Sequence, residues 1–258
     1  MTYLIDSHCH LDRLDLTPFD GSLERALAHA AELDVKKVLC ISVDAANIKT
    51  VLEIAERYPN VYASVGQHPS EDEPSLTVLQ LIELAEHPKV IAIGETGLDY
   101  HYEFTSAHFQ KERFVTHIEV AQKTDKPLII HTRAAQEDTL SILRAYQVSK
   151  AVFHCFTESL EMAMAGIEMG LYISFSGILT FKNAESLREV AKQVPLERIL
   201  VETDAPYLTP VPYRGKPNCP GYTRYVAELL AELKQIPYST VAQQTTQNFC
   251  DLFQLEND

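Results

Sequence analysis

The sequence predicts an α/β fold in a single domain, a (β/α)8 barrel, and three observations carry that prediction. Short apolar runs rich in β-branched residues alternate with longer amphipathic ones along the whole chain. There are eight such short runs, and histidines and carboxylates recur at their C-terminal ends. Near-continuous apolar runs are the pattern of strands buried on both faces of a parallel sheet, and eight parallel strands can close into a barrel. A barrel of this kind takes about 250 residues, and the chain has 258, so the domain is read as residues 1–258.

The strands, in order, are Tyr3–Asp6, Lys37–Val43, Val61–Gly66, Val90–Gly94, Pro127–His131, Ala151–His154, Leu171–Phe175 and Arg198–Glu202. After the first strand, Leu23, Ala26, Leu27, Ala30 and Leu33 share one helical face. Val115, Ile118 and Ala121 do so after the fourth, and Val226, Leu229, Leu230 and Leu233 after the eighth. The competing architecture is an open doubly wound sheet, which would place a glycine-rich phosphate loop after its first strand. Ser7-His8-Cys9-His10 occupies that place, which favours the barrel.

Composition removes other classes. With 46% hydrophobic and 22% charged residues, the chain is not disordered, collagen-like or a coiled coil. No apolar run approaches the ~20 residues of a membrane span, and Leu4-Ile5 passes directly to Asp6 without a secretory leader pattern. The five cysteines (Cys9, Cys40, Cys155, Cys219, Cys250) are odd in number and lack a CxxC pair. A disulfide scaffold is therefore not expected, and a reducing cytoplasm is the expected compartment. No obligate protein partner is evident, and a monomer is the default. The net charge of -14 argues against a broad basic groove for nucleic acid; a phosphodiester substrate would be held locally or through metal ions.

The strand ends carry the chemistry. The first ends in Asp6-Ser7-His8-Cys9-His10 and the fourth in Gly94-Glu95-Thr96-Gly97-Leu98-Asp99. The fifth ends at His131-Thr132-Arg133, the sixth at His154-Cys155-Phe156 and the eighth at Glu202-Thr203-Asp204. In a barrel these ends form the face that holds active sites. A His-x-His pair on a strand aims both rings the same way. Any single histidine here is weak evidence, but six nitrogen and oxygen ligands on five strand ends have no ordinary packing explanation, because unpaired buried imidazoles and carboxylates are costly. Four imidazoles and two carboxylates suffice for two divalent ions, and a carboxylate such as Glu95 could bridge them. Two ions ~4 Å apart suit phosphate-ester hydrolysis: they generate hydroxide, polarise the electrophile and steady the leaving oxygen. The donor set favours Zn or Mn; Mg is a weaker fit to four imidazoles.

Three segments, Leu4-Ile5-Asp6-Ser7-His8-Cys9-His10-Leu11-Asp12, Ile93-Gly94-Glu95-Thr96-Gly97-Leu98-Asp99-Tyr100 and Leu200-Val201-Glu202-Thr203-Asp204-Ala205-Pro206-Tyr207, resemble the signatures of the TatD family. These are metal-dependent deoxyribonucleases and hydrolases of the amidohydrolase superfamily. Pro127–Arg133, His154–Thr157 and Tyr172–Ile178 match as well. The likeness runs from the first strand to about Phe253, with the bacterial YcfH branch the nearest. The resemblance implies a TIM barrel and two divalent metal ions. His8 and His10 would hold the first with Asp204, His131 and His154 the second, and Glu95 would bridge. Glu95 stands where many superfamily members use a carboxylated lysine, so no lysine modification is needed.

Asp204 could also accept a proton from the attacking water. Glu202 is open between orienting a ligand histidine and being an inward strand residue satisfied by a neighbour. His68 is a candidate substrate contact against the alternative of an exposed loop histidine. Arg133 could clamp phosphate or form a rim salt bridge, and Arg214, in the basic loop after the eighth strand, could touch substrate. Lys216 is read equally well as a solvated turn. Asp99 and Tyr100 are read as loop-fixing residues, His101, His108 and His117 as surface, and Cys9 and Cys155 as packing residues pointing away from the site.

The expected function is therefore metal-dependent hydrolysis of DNA phosphodiesters, resembling a 3'-5' exonuclease on single-stranded or frayed ends, with Glu95 and Asp204 as the catalytic carboxylates. The enzyme alternative is hydrolysis of a small-molecule ester or C–N bond by the same metals. The non-enzyme alternative is a binding or scaffold protein, against which the complete ligand set counts.

Overall fold

The structure, a computed structural model, describes residues 3–101 and 104–256; the outermost residues of the 1–258 domain lie outside that range. Eight parallel strands form one sheet in chain order: β1 (Leu4–Cys9), β2 (Val35–Cys40), β3 (Val61–Val65), β4 (Val90–Asp99), β5 (Leu128–Arg133), β6 (Ala151–Phe153), β7 (Tyr172–Phe175) and β8 (Ile199–Val201). The helices are α1 (Leu23–Glu32), α2 (Ile48–Arg57), α3 (Val78–Ala85), α4 (Ala107–Thr124), α5 (Gln136–Ala145), α6 (Leu160–Glu168), α7 (Glu185–Gln193), α8 (Thr223–Lys234) and α9 (Tyr238–Phe253). Ser22, Thr77, Ser106 and Ser159 begin α1, α3, α4 and α6, each side chain accepting a backbone N–H of the first turn.

The sheet meets itself between β8 and β1, through a parallel bridge from Cys9 to Ala205. The Asp204 amide donates to the His8 carbonyl at 2.9 Å and the His10 amide to the Ala205 carbonyl at 2.8 Å. Behind this seam, the buried Asp6 carboxyl accepts from the Thr203 amide (2.9 Å) and the Thr203 hydroxyl (2.5 Å). Burial pushes Asp6 up to about 8, against the lowering effect of the Thr203 hydrogen bonds. The closing contacts of the barrel are thus the ones that bring Asp204 beside His8 and His10.

All eight predicted strands are present with ends shifted by a few residues. β1, β4 and β5 extend further toward the mouth than their apolar runs, because backbone pairing continues where side chains turn polar. One buried cluster fills the layer between strands and helices. A second gathers Ile5, Leu39, Ile41, Ile129 and Leu200 with Phe249 and Phe253 of α9. Thr246 of α9 donates to the Tyr3 carbonyl, and Asn248 to the carbonyls of Leu196 and Ile199. These groups lie at the starts of β1 and β8, so α9 covers the barrel end opposite the histidines. No helix among the described residues is long and apolar enough to cross a membrane, and none of the five cysteines is in a disulfide.

α4 departs from the predicted face. Val115 is only half-buried, whereas Gln110, Arg113 and His117 turn inward with Phe114, Ile118 and Ala121. His117, expected at the surface, is fully buried. Its Nε2 accepts the Gln67 amide (3.1 Å), which places the proton on Nδ1, where it is donated to the Arg113 carbonyl (2.8 Å). Burial lowers this imidazole from 6.5 to about 4. A depressed folded-state value means that stability is fully present above about 6.5 and is lost as pH falls toward 4. His117→Gln can still accept the Gln67 amide but does not titrate. Urea denaturation at pH 7 and 4.5 should therefore show the parent losing about 2 kcal/mol more than the variant; equal losses would show that His117 is not an acid-sensitive point of the fold.

Candidate metal centre

β4 places the central carboxylate. Between Ile93 and Thr96 it gains one residue on β5, where Leu128 to Ile130 span the same length, a bulge of the kind that re-aims a side chain beside a site. Gly97 then pairs with His131. Its φ is +135° and a Cβ there would stand 2.0 Å from the His131 carbonyl oxygen, so only glycine permits this approach of β4 to β5.

The two oxygens of Glu95 face two sets of imidazoles. Oε1 lies 2.7 Å from His154 Nε2, 3.1 Å from His131 Nδ1 and 3.4 Å from His68 Nε2. Oε2 lies 3.2 Å from His8 Nε2 and 4.0 Å from His10 Nε2. Asp204 Oδ1 completes the second set, 3.4 Å from His10 Nε2 and 3.6 Å from His8 Nε2. All six residues of the sequence-derived ligand set therefore converge, each within 4.0 Å of another member.

The outer ring nitrogens fix which inner ones are free. His10 Nδ1 faces the Ile41 carbonyl at 3.4 Å. His131 Nε2 lies 2.9 Å from Asp99 Oδ2, and His154 Nδ1 lies 3.4 Å from Glu202 Oε1. With protons on the Nδ1 of His10 and the Nε2 of His131, His10 Nε2 and His131 Nδ1 present lone pairs inward, while His154 Nδ1 stands near Glu202 without a hydrogen bond. His8 is fully buried and neither of its nitrogens has a hydrogen-bond partner. An orphaned buried imidazole is costly, and a divalent cation among these donors removes that cost. The imidazole and carboxylate set fits Zn or Mn better than Mg.

Electrostatics agree. Burial alone would raise Glu95, but His154, His68, His8 and His131 outweigh it and hold the carboxyl well below its usual range. Burial likewise acts to raise Asp204, and His10 and His8 reverse it, so this carboxylate is ionised at neutral pH.

Glu202, open in the sequence reading, is fully buried; Oε1 accepts the Cys155 amide at 2.7 Å and stands 3.4 Å from His154 Nδ1. Asp99, read as loop-fixing, does fix the loop by accepting the His101 amide, but its second oxygen also meets His131. That role was hidden because it needs β4 to run past Glu95. Tyr100 donates to Asp138, in keeping with a loop anchor. His101 and His108 are exposed, and Cys9 packs under Ala205. Cys155 corrects its expectation: β6 ends at Phe153, Cys155 has φ +43°, and strand alternation no longer governs it. Its thiol lies against Ser176, and burial together with Asp204, Glu202 and Glu95 pushes it well above its usual range, which keeps it protonated.

His68 is brought to the cluster, its Nδ1 accepting the Ser70 amide and its ring 4.4 Å from that of His131. Arg133 follows His131 by two residues on β5 and leaves the strand on the same side. Arg214 is exposed, stacked on Phe181 and donating to the Thr209 carbonyl, contacts that belong to its own loop and the segment after β7.

Comparison with known proteins bears on the same residues. A family model described as TatD related DNase matches residues 5–254. The uncharacterized metal-dependent hydrolase YcfH of Escherichia coli (strain K12) is 45% identical, covering 98% of this chain and 97% of its own. The uncharacterized metal-dependent hydrolase YabD of Bacillus subtilis (strain 168) is 40% identical, covering 98% and 99%. The crystal structure of YjjV, a TatD homolog from Escherichia coli K12, superposes with a TM-score of 0.91 at 32% identity, covering 98% of each chain.

Proposed function

The chain belongs to the TatD family and is a metal-dependent hydrolase, and from that premise we propose that it cleaves DNA phosphodiesters at single-stranded or frayed ends with two divalent ions. The observation that carries the proposal is the division of imidazoles between the two oxygens of Glu95. His8, His10 and Asp204 would hold one ion, His131 and His154 the other, and Glu95 both. Such a pair, when bound, supplies Lewis-acid polarisation and an activated water at neutral pH.

The chain's own groups do the rest. Asp204 is ionised and its side chain is 13% exposed, against 4% for Glu95. It is the carboxylate open to incoming water and accepts the proton on attack. With Nδ1 occupied by the Ser70 amide, neutral His68 carries its proton on Nε2 and donates to a substrate oxygen. Arg133 stands at the rim on the same side of β5 as His131. Asp99 holds His131 in the required tautomer, and the Glu202 carboxylate stands 3.4 Å from His154 Nδ1. The charge of -14 favours a substrate gripped locally at an end over a long duplex.

The test is release of nucleotides from end-labelled single-stranded DNA by protein reconstituted with Mg, Mn or Zn, beside a His131→Ala, His154→Ala double variant. Stepwise loss from one end, absent in the variant, is expected. Turnover of carboxylic esters or amides without any of DNA would instead select the small-molecule reading.

A further inference from the structure

We propose that Arg113 of α4 is a positioning residue that sets the His68 loop against the metal centre. The inference rests on the reading of His68 as a substrate contact.

The segment from Gln67 to Leu76 leaves β3 and returns to α3. Arg113, only 1% exposed, reaches into it from α4. Its Nη1 donates to the carbonyls of His68 (2.9 Å) and Glu71 (2.8 Å), its Nη2 to that of Glu73 (2.6 Å), and its Nε to the Ser75 hydroxyl (3.1 Å). One planar fork thereby fixes four points of one loop, a task that the single ammonium of lysine cannot match. His117, one helical turn on, binds the amide of Gln67, the first residue of the loop. The Gln67 side chain closes it by meeting Glu73, Pro74 and Leu76.

A buried guanidinium spent on neutral carbonyls and a hydroxyl is costly to desolvate, and its apolar neighbours on this face of α4, Phe114 and Ile118, are ordinary core. What the fork secures is placement. The His68 carbonyl it grips belongs to the residue whose Nε2 stands 3.4 Å from Glu95. A misplacement of about 1 Å at such a group costs on the order of 100-fold in rate.

The experiment compares Arg113→Met, Arg113→Lys, His68→Ala, the Arg113→Met/His68→Ala double variant and Ile118→Ala. Ile118 is a fully buried residue of the same helix without a polar contact to the loop, so it controls for lost stability. Metal content is measured in each. Turnover is read on bis(p-nitrophenyl) phosphate and on p-nitrophenyl acetate, so that failure of the phosphodiester reading is seen separately as ester turnover alone. Arg113→Met should lower kcat about 100-fold with KM and metal content little changed. His68→Ala should do the same, and the double variant should be no worse than either. Arg113→Lys should recover part of the rate, and Ile118→Ala should keep it. A readout free of turnover is the imidazole nitrogen NMR of His68 in the zinc-loaded protein. Arg113→Met should shift it from the single Nε2–H tautomer, and Ile118→Ala should not. Additive losses in the double variant, or an unmoved His68 signal in Arg113→Met, would overturn the proposal.

Discussion

Glu95→Gln should lose tight metal binding and hydrolyse substrate at least about 1,000-fold more slowly than the parent. The side chain stays the same size, but the charge that faces His154 and His131 on one side and His8 and His10 on the other disappears. An amide can offer one oxygen inward; its nitrogen is a donor and cannot ligate a cation. Both imidazole sets face this one carboxylate, so under the proposed two-ion centre a single substitution should remove both ions. Glu95→Asp separates the two sides. It keeps the charge but shortens the reach by one methylene, leaving one set without its shared ligand. Metal analysis after gel filtration in Mn or Zn should find close to none per chain in the Gln variant and about half the parental content in the Asp variant. Parental metal content and rate in Glu95→Gln would remove Glu95 from the centre.

The difference between what periodicity reveals and what pairing reveals runs through this site. His8, His10, Glu95, His131, His154 and Asp204 were legible because each sits where an apolar run stops, and a barrel collects those stops on one face. Asp99 reads as a loop residue because nothing in the run Val90–Gly94 says that β4 continues for five more residues past a bulge; its partner His131 becomes visible only with the β4–β5 register. Strand alternation does not reach Cys155, which lies past the strand's end where a positive φ turns the chain. The stripe of Gln110, Arg113 and His117 escaped for a different reason. Helix burial was sought as an apolar pattern, and these residues are buried because loop carbonyls and amides await them. The loop partners of Arg113 and His117 lie dozens of residues away and that of Gln110 eleven residues back, and no apolar pattern points to them.

Asp204→Asn should cut kcat by roughly 100- to 10,000-fold while KM stays within a few-fold of the parent. The substitution isolates the charge because of the backbone. Asp204 has φ +54°, a left-handed conformation that Asp and Asn share more readily than other non-glycine residues. Asparagine therefore keeps the turn in which the Asp204 amide binds the His8 carbonyl and the Tyr207 amide returns to the Asp204 carbonyl. Alanine at the same φ would add about 1–2 kcal/mol of backbone strain and mix a folding defect into the kinetics. The other residues proposed to hold the ions, His8, His10 and Glu95 on one side and His131 and His154 on the other, are untouched. What disappears is the ionised oxygen 3.4 Å from His10 Nε2, the group proposed to accept the proton of the attacking water. Steady-state kinetics on the metal-loaded variant, with thermal melting to confirm an unchanged fold, separate the two possibilities. A parental kcat would mean that the proton leaves by another route and that the Asp204 charge is not needed for the step.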